Sequence, residues 1–333
     1  MKKKTLKTIL KLLAIVLIGV VGFLYVNYFV NLPLNKPDRI SDGIVPSVAQ
    51  VSSFEGYDRV VIFGCDGAGG YFSECETPNF DRIFSNINLN GTAEYPTMSG
   101  ANWTSMFTGV LAKRHQVTNA KAMFFHYKGD KYPTFFKSYG ESHEVTMYSV
   151  VNWSPINHGS IEENIPGMTK VNAEDYCAKD ASSDEIDRKV TELLIERLNS
   201  YDDKIVFIQF DSIDHEGHEH GYGAKEYVEA MEKVDGYMGM IYEAYEKKGW
   251  AENTLFICVS DHGHTLKGGH GGESETEKLC TLALGDKKGL LKQGSSQTYI
   301  SHDLASVVLF ALKEVQPAWY DGMVPKDLFK ALN

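Results

Sequence analysis

The chain has 333 residues, 43% of them apolar and 12% aromatic, which is enough to bury a large core in one sizeable domain and excludes a disordered protein. Its formal net charge is -11, yet residues 1–40 hold seven Lys or Arg and one Asp, leaving 26 basic against 43 acidic groups in the remainder. That balance excludes a nucleic-acid-binding surface built on phosphate contacts.

From the N-terminus, Lys2, Lys3, Lys4, Lys7 and Lys11 precede Leu12 to Val30, a run whose clearly polar member is Asn27. Nineteen such residues match the ~30 Å core of a bilayer. Basic residues ahead of the run place residues 1–11 in the cytoplasm and everything after the anchor outside it. No small-x-small cleavage pattern follows, so the reading is an uncleaved single-pass anchor over 12–30 in the cell membrane, with the rest of the chain extracytoplasmic. Pro33, Pro37, Gly43 and Pro46 mark residues 31–53 as a linker, and the folded domain is expected over 54–333.

Three apolar runs organise that domain: Arg59 to Gly64, Lys204 to Phe210 and Thr254 to Val259. They are rich in β-branched and aromatic residues without clean alternation, as expected of strands buried on both faces of a parallel sheet. Each ends at an aspartate, Asp66, Asp211 or Asp261, so the carboxyl edge of the sheet would gather acids from distant segments. Helical spacing over Ser183 to Leu198 and Ala224 to Lys247 supplies crossover helices. The expected fold is α/β, a mostly parallel central sheet with helices on both faces. Residues 141–180, with weak periodicity, read as a candidate insertion covering the site. Of five cysteines, Cys65 and Cys258 read as core residues, and Cys75 with Cys177 is the pair a bridge could join.

Two segments carry chemistry. The first, Tyr95 to Gly109, places Pro96, Thr97 and Ser99 ahead of a helical pattern, so a hydroxyl stands at a helix N-terminus, where an anion is favoured. The second contains Asp211, Asp214, His215, His218 and His220, then Asp261, His262 and His264, then His270. Six of the chain's eleven histidines lie there, and Asp with His is the donor set of zinc and its neighbours in the first transition row.

Together these motifs resemble the alkaline phosphatase superfamily, most closely its type I phosphodiesterase / nucleotide pyrophosphatase branch. The resemblance rests on the strand ending in Asp66, Tyr95-Pro-Thr-x-Ser99 with Asn102, the pair Asp214 and His218, the pair Asp261 and His262, and His270 in Gly-Gly-His-Gly-Gly. The Asp-His-x-Gly-His, Asp-His-Gly and His-Gly-Gly patterns are also similar to GPI ethanolamine phosphate transferases. The resemblance implies Asp66, Ser99, Asp261 and His262 around one divalent ion and Asp214, His218 and His270 around a second, zinc, manganese or iron. It implies a double displacement on a phosphate-ester substrate: Ser99 as nucleophile, Asn102 as donor to a phosphoryl oxygen, and a phosphoseryl intermediate. The expected activity is phosphodiester or pyrophosphate hydrolysis. The alternatives are transfer of phosphoethanolamine or phosphoglycerol to a surface glycan, phosphomonoester hydrolysis, and a binding protein on a dead scaffold. His215, His220 and His264 read as neighbours of the site or as exposed loop residues, not as ligands. Asp211 reads as an orienting residue or strand end, and Tyr71, Phe72 and Trp103 as packing or stacking rings. Ser99-Gly-Ala-Asn-Trp lacks the Pro and Arg of a sulfatase motif, which argues against sulfate esters.

Overall fold

The structure, a computed structural model, describes residues 11, 13–22, 41–294 and 298–332. Seven strands are β1 (Arg59–Cys65), β2 (Ile87–Thr92), β3 (Met147–Val151), β4 (Met168–Asn172), β5 (Ile205–Phe210), β6 (Thr254–Val259) and β7 (Leu279–Gly285). They form one sheet in the order β2-β7-β6-β1-β5-β3-β4. The three apolar runs lie side by side at its centre, with Val61 of β1 level with Val206 of β5 and Phe256 of β6, all parallel. The sheet is mixed at one edge, because β7 runs antiparallel to both β6 and β2.

The eight helices that matter here are α1 (Pro78–Ile83), α2 (Ser99–Thr108), α3 (Asn119–Phe124), α4 (Phe135–Ser142), α5 (Ser183–Arg197), α6 (Ser212–His220), α7 (Lys225–Lys247) and α8 (Leu304–Ala311). They cover both faces. Along β1, Val60 and Ile62 point into a core shared with Trp103, Phe107, Phe135 and Val307, while Val61, Phe63 and Cys65 join Phe80, Val190, Leu194 and Met231 on the other side. Every residue of β1, β5 and β6 is thus buried, which is why their sequences show no alternation. The helix expected from Ser183 starts on a capping box of Ser182 with Glu185, and α7 starts one residue later than its pattern suggested.

Several expectations need correction. Residues 141–180 are not a cover over the site, because they contain β3 and β4, with Val150 paired to Ile208 of β5 and to Val171. The linker ends sooner than residue 53: Ile44 and Val324 exchange backbone hydrogen bonds of 2.8 and 2.9 Å, and Val48–Ser53 is a short helix that buries Val51. All five cysteines are free; Cys75 Sγ lies 3.8 Å from Met231 Sδ and Cys177 Sγ 3.4 Å from the Ala173 carbonyl, so the two do not pair. Of the expected anchor 12–30, residues 13–22 are helical and exposed, and the rest lies outside the described residues. Among the described residues no helix is long and apolar enough to cross a membrane.

Candidate metal centre

The site forms at the carboxyl edge of the three central strands, where their pairing brings Asp66, the start of α6 and the turn after β6 together. Asp66 follows β1 directly, its Oδ2 fixed by Trp103 Nε1 at 2.8 Å and Gln209 Nε2 at 3.2 Å. Gly67 then turns the chain with φ +65°. A side chain there would sit 2.5 Å from His264 Nε2 and 2.6 Å from Asp214 Oδ1, so glycine lets backbone and ligand groups share the space. Asp187 of α5 holds the first turn of α6, accepting from Asp211 N at 2.9 Å and Ser212 N at 3.0 Å. That bond to a helix N-terminus orients Asp214 and His218, one turn apart on α6.

Ser99 opens α2, and its hydroxyl lies 3.2 Å from Asp66 Oδ1 and 3.1 Å from His262 Nε2. His262 Nε2 is also 3.3 Å from Asp261 Oδ2, so Asp66, Ser99, Asp261 and His262 converge as one buried group. Beside it stand Asp214, His218 and His270: His218 Nε2 lies 3.3 Å from Asp214 Oδ2 and 3.1 Å from His270 Nε2. The rings of His262 and His270 stack at 3.8 Å and link the two groups. Thr97 joins the second group to the turn before Ser99. Its carbonyl accepts from His270 Nδ1 at 2.8 Å, and its hydroxyl accepts from Gly271 N at 3.1 Å while donating to the Gly272 carbonyl at 3.0 Å.

These residues fit divalent cations. His262 Nδ1 donates to the Gly263 carbonyl at 3.1 Å, and His270 uses its Nδ1 likewise, so each turns an Nε2 lone pair toward the carboxylates. Lone pairs facing lone pairs repel unless a cation lies between them. Buried oxygens Asp214 Oδ1 and Asp261 Oδ2, and both nitrogens of buried His264, lack hydrogen-bond partners in the protein, although His264 Nε2 is 3.0 Å from Asp214 Oδ1, off the line of a hydrogen bond. Burial, then the neighbouring carboxylates, raises Asp66 and Asp261 well above the ordinary carboxylate range. Burial also pushes Asp214 up, but His218 and His264 pull it well below that range. Burial holds His262 and His270 down, in the neutral form a cation requires.

The family profile of type I phosphodiesterase / nucleotide pyrophosphatase matches residues 60–267, well over half of the chain. The chain belongs to this family. Among curated proteins it is 23% identical over 234 residues to GPI ethanolamine phosphate transferase 2 of Aspergillus fumigatus, covering 66% of this chain and 29% of that protein. It is 31% identical over 101 residues to the catalytic subunit of human GPI ethanolamine phosphate transferase 3, covering 30% of this chain and 9% of that one. The chain thus spans less than a third of the length of these curated relatives. Among solved structures, an inactive form of murine ectonucleotide pyrophosphatase / phosphodiesterase 5 in complex with AMP matches with a TM-score of 0.63 at 13% identity, over 81% of this chain and 100% of that one. That likeness establishes the alkaline phosphatase-like fold.

Two positions in this type I phosphodiesterase / nucleotide pyrophosphatase chain differ from expectation. Asn102 does not face the site: its Oδ1 accepts from Glu94 N at 2.9 Å and Ser301 Oγ at 3.0 Å, and its Nδ2 donates to the carbonyls of Glu94 and Pro96 at 3.2 and 3.0 Å. It ties down the turn before Ser99. The N-terminus of α2 is not an open anion cradle either, since Ala101 N and Asn102 N bond the Met98 carbonyl and Gly100 N bonds Asn119 Oδ1 at 2.7 Å. Asn119, the first residue of α3, therefore stands beside Ser99 with an amide Nδ2 to offer, twenty residues away in sequence and marked by no motif. His264, read from the sequence as a neighbour of the site or an exposed loop residue, is buried and grouped with Asp214 and His262. Its signal was its place two residues after Asp261-His262. Asp211 joins Asp66 and Asp214 and is raised well above its usual range by burial and those acids. Trp103 and Phe72 are buried packing rings, the latter stacked on Phe80, and Tyr71 packs edge-on against Tyr222. His215 and His220 are exposed, with His220 beside Glu216.

Proposed function

We propose that this protein is a metal-dependent phosphodiesterase that uses Ser99 as nucleophile. Its family and relatives place it among proteins acting on phosphate esters. The observation that carries the reading is the Ser99 hydroxyl within 3.2 Å of Asp66 and 3.1 Å of His262, at the edge of a second Asp-His-His group. Asp66, Asp261 and His262 would hold one divalent ion with Ser99, and Asp214, His218 and His270 the other, with zinc favoured and manganese or iron alternative occupants. Such ions supply charge neutralisation and lower the pKa of hydroxyl and water. Ser99 Oγ attacks phosphorus in line with the departing alcohol or nucleotide, and the phosphoseryl intermediate is then cleaved by water. Asn119 Nδ2 donates to a nonbridging oxygen as its charge grows, a contribution of about 3 kcal/mol in comparable oxyanion sites. Thr97 keeps His270 in register with the nucleophile turn, and buried His264, its Nε2 3.0 Å from Asp214 Oδ1, adds another nitrogen donor atom to that side of the site. The run 12–30 is proposed as a single-pass anchor holding the domain outside the cytoplasm.

A second reading has a specific support, the curated relatives that are phosphoethanolamine transferases. There the same intermediate would be resolved by an acceptor hydroxyl in place of water, and water would have to be excluded. One experiment separates them. The full chain with zinc is given a phosphate diester, a phosphate monoester and a sulfate ester, with and without an acceptor glycan, alongside Ser99→Ala. Diester hydrolysis that disappears in Ser99→Ala supports the hydrolase. Product bearing the phosphoryl group on the glycan, with little free acid, overturns it in favour of the transferase. Unchanged turnover in Ser99→Ala removes Ser99 as nucleophile.

A further inference from the structure

Between residues 41 and 332, Met123, Phe124 and Phe125 form the one run of consecutive exposed large apolar side chains among the described residues, at 48%, 74% and 59% exposure. They end α3, whose opposite side packs on the nucleophile helix. Ala122 is fully buried, and a side chain on Gly100 would come within 2.9 Å of its Cβ, while Asn119 holds Gly100 N. The run thus adjoins the Ser99 turn. Three apolar side chains in water gain nothing from the packing of α3 and mark a surface that meets something else.

The surroundings identify what it meets. Residues 111–131 carry Lys113, Arg114, Lys121, Lys128 and Lys131 against Asp130, in a chain whose net charge is -11. Lys121, Phe125, His126 and Lys128 line a cleft of about 300 Å³ floored by Gly159. His126 lies 2.8 Å from Glu163 and Lys121 Nζ donates to the Gln116 carbonyl at 2.7 Å, and among the described residues neither Lys121 nor Lys128 pairs with a carboxylate. Aromatic and basic side chains on one surface of an acidic protein match the headgroup layer of an anionic bilayer, where apolar rings enter the interface and lysines meet phosphate.

The chain's course supports the same partner. Ser41 is buried in the domain, and the eleven peptide steps from Val30 to Ser41 span at most about 40 Å, so the proposed anchor keeps the domain beside the membrane. Near its entry the chain reaches the C-terminal end of α2 through residues 321–324. Ile44 pairs with Val324, Asp321 N and Gly322 N bond the Gly109 carbonyl, and Arg114 bonds both Asp321 and the carbonyl of Trp319 while lying over the Tyr132 ring. Trp319 itself is 40% exposed.

We propose that this flank seats on an anionic phospholipid bilayer: Met123, Phe124 and Phe125 enter the interface, Lys121 and Lys128 contact lipid phosphates, and the Ser99 turn opens at headgroup height. The substrate would then be a phosphate ester borne on a lipid or lying against it. The inference rests on the anchor and the nucleophile proposed above.

The test uses the full chain in vesicles of phosphatidylcholine, alone or mixed with phosphatidylglycerol, with bromine on the upper acyl chain. Flotation first establishes that the chain is bound. The tryptophan added by Phe124→Trp, read as the difference from the parent chain, should be quenched in the mixed vesicles. That quenching should fall with salt and with Lys121→Glu/Lys128→Glu, which weakens seating roughly tenfold or more. No added quenching in a chain that floats overturns the proposal, as does quenching indifferent to phosphatidylglycerol and to the charge reversal. A chain that does not float overturns the anchor and the seating together. Phe124→Ser/Phe125→Ser should slow hydrolysis of a vesicle-embedded diester roughly tenfold and leave a soluble diester unaffected. Equal loss on both overturns the proposal, whereas absence of diester turnover in the parent chain counts against the nucleophile reading and leaves the quenching result standing.

Discussion

The Ser99 hydroxyl bonds only groups of the site, Asp66 and His262, and takes no part in capping α2, whose N-cap is Met98. Ser99→Ala should therefore keep the thermal midpoint while lowering kcat for a diester by roughly 10⁴-fold or more, read from initial rates and a melting curve on the same preparation. Asn102 and Asn119 both satisfy buried backbone groups but should differ in their direct effect on turnover. Asn102→Ala leaves buried backbone groups of Glu94 and Pro96 without partners and should cost about 2–4 kcal/mol of stability in a denaturant titration. Asn119→Ala, which removes the acceptor of the buried Gly100 N, should cost about 1–3 kcal/mol of stability and also lower kcat by roughly 10²-fold. The sequence makes Asn102 look functional because it lies one helical turn after Ser99. That turn points its side chain back at residues 94–96, a direction set by Glu94 and Ser301, which no local spacing reveals. Asn119 is invisible for the converse reason: Gly100 N brings it to the site across a loop.

At the scale of elements, α2 is held from behind by a buried polar network. His302 Nδ1 meets Glu94 Oε1, and Glu94 Oε2 accepts from Ala112 N at 2.9 Å and Ser105 Oγ at 3.4 Å. Burial opposes charge on His302, but Glu94, and behind it Asp303 and Asp321, raise it to about 9 against an ordinary 6.5. A group whose pKa is higher folded than unfolded binds its proton more tightly in the folded state. Its contribution is then complete below pH 6.5 and is lost as pH climbs through about 9. The predicted outcome is a fall in unfolding free energy over that window, on the order of a few kcal/mol, measured by denaturant titration at fixed salt. His302→Gln should start lower and show a flatter profile. Strands β1, β5 and β6 are legible because both of their faces are covered. By contrast β2, with Asn88 and Asn90 exposed, and β4, half-buried at the sheet edge, have compositions that read as loop until their partners are known.

For the whole molecule, the buried acids of the metal centre set the behaviour of the apo form. Asp66, Asp214 and Asp261 gather at the carboxyl edge of the central strands, and no Lys or Arg pairs with them among the described residues. Dialysis against a chelator should therefore lower the thermal midpoint by roughly 5 °C or more, and added Zn²⁺ should restore it. A midpoint indifferent to chelation would count against resident cations. The α/β class and the order of the ligand segments can be read from chain positions 60–272, because three strand ends deliver three acids. The mixed edge of the sheet, and the way the C-terminal segment grips α2 through Ser301 and His302, cannot, since both are long-range pairings between segments of ordinary composition.

Those same pairings set a timetable for the chain as it is made. Strand β1 and Ser99 emerge early, yet β1's neighbours begin at Ile205 and Thr254, and the nucleophile turn is braced by residues 301 and 302. A nascent chain that has reached residue 250 holds Asp66 and Ser99 but lacks Asp261, His262 and His270, together with the brace behind α2. Its hydroxyl is an ordinary serine at that stage. The arrangement comes into being when residues 261–270 and the brace at 301 and 302 have docked, so a product that stops before them lacks it.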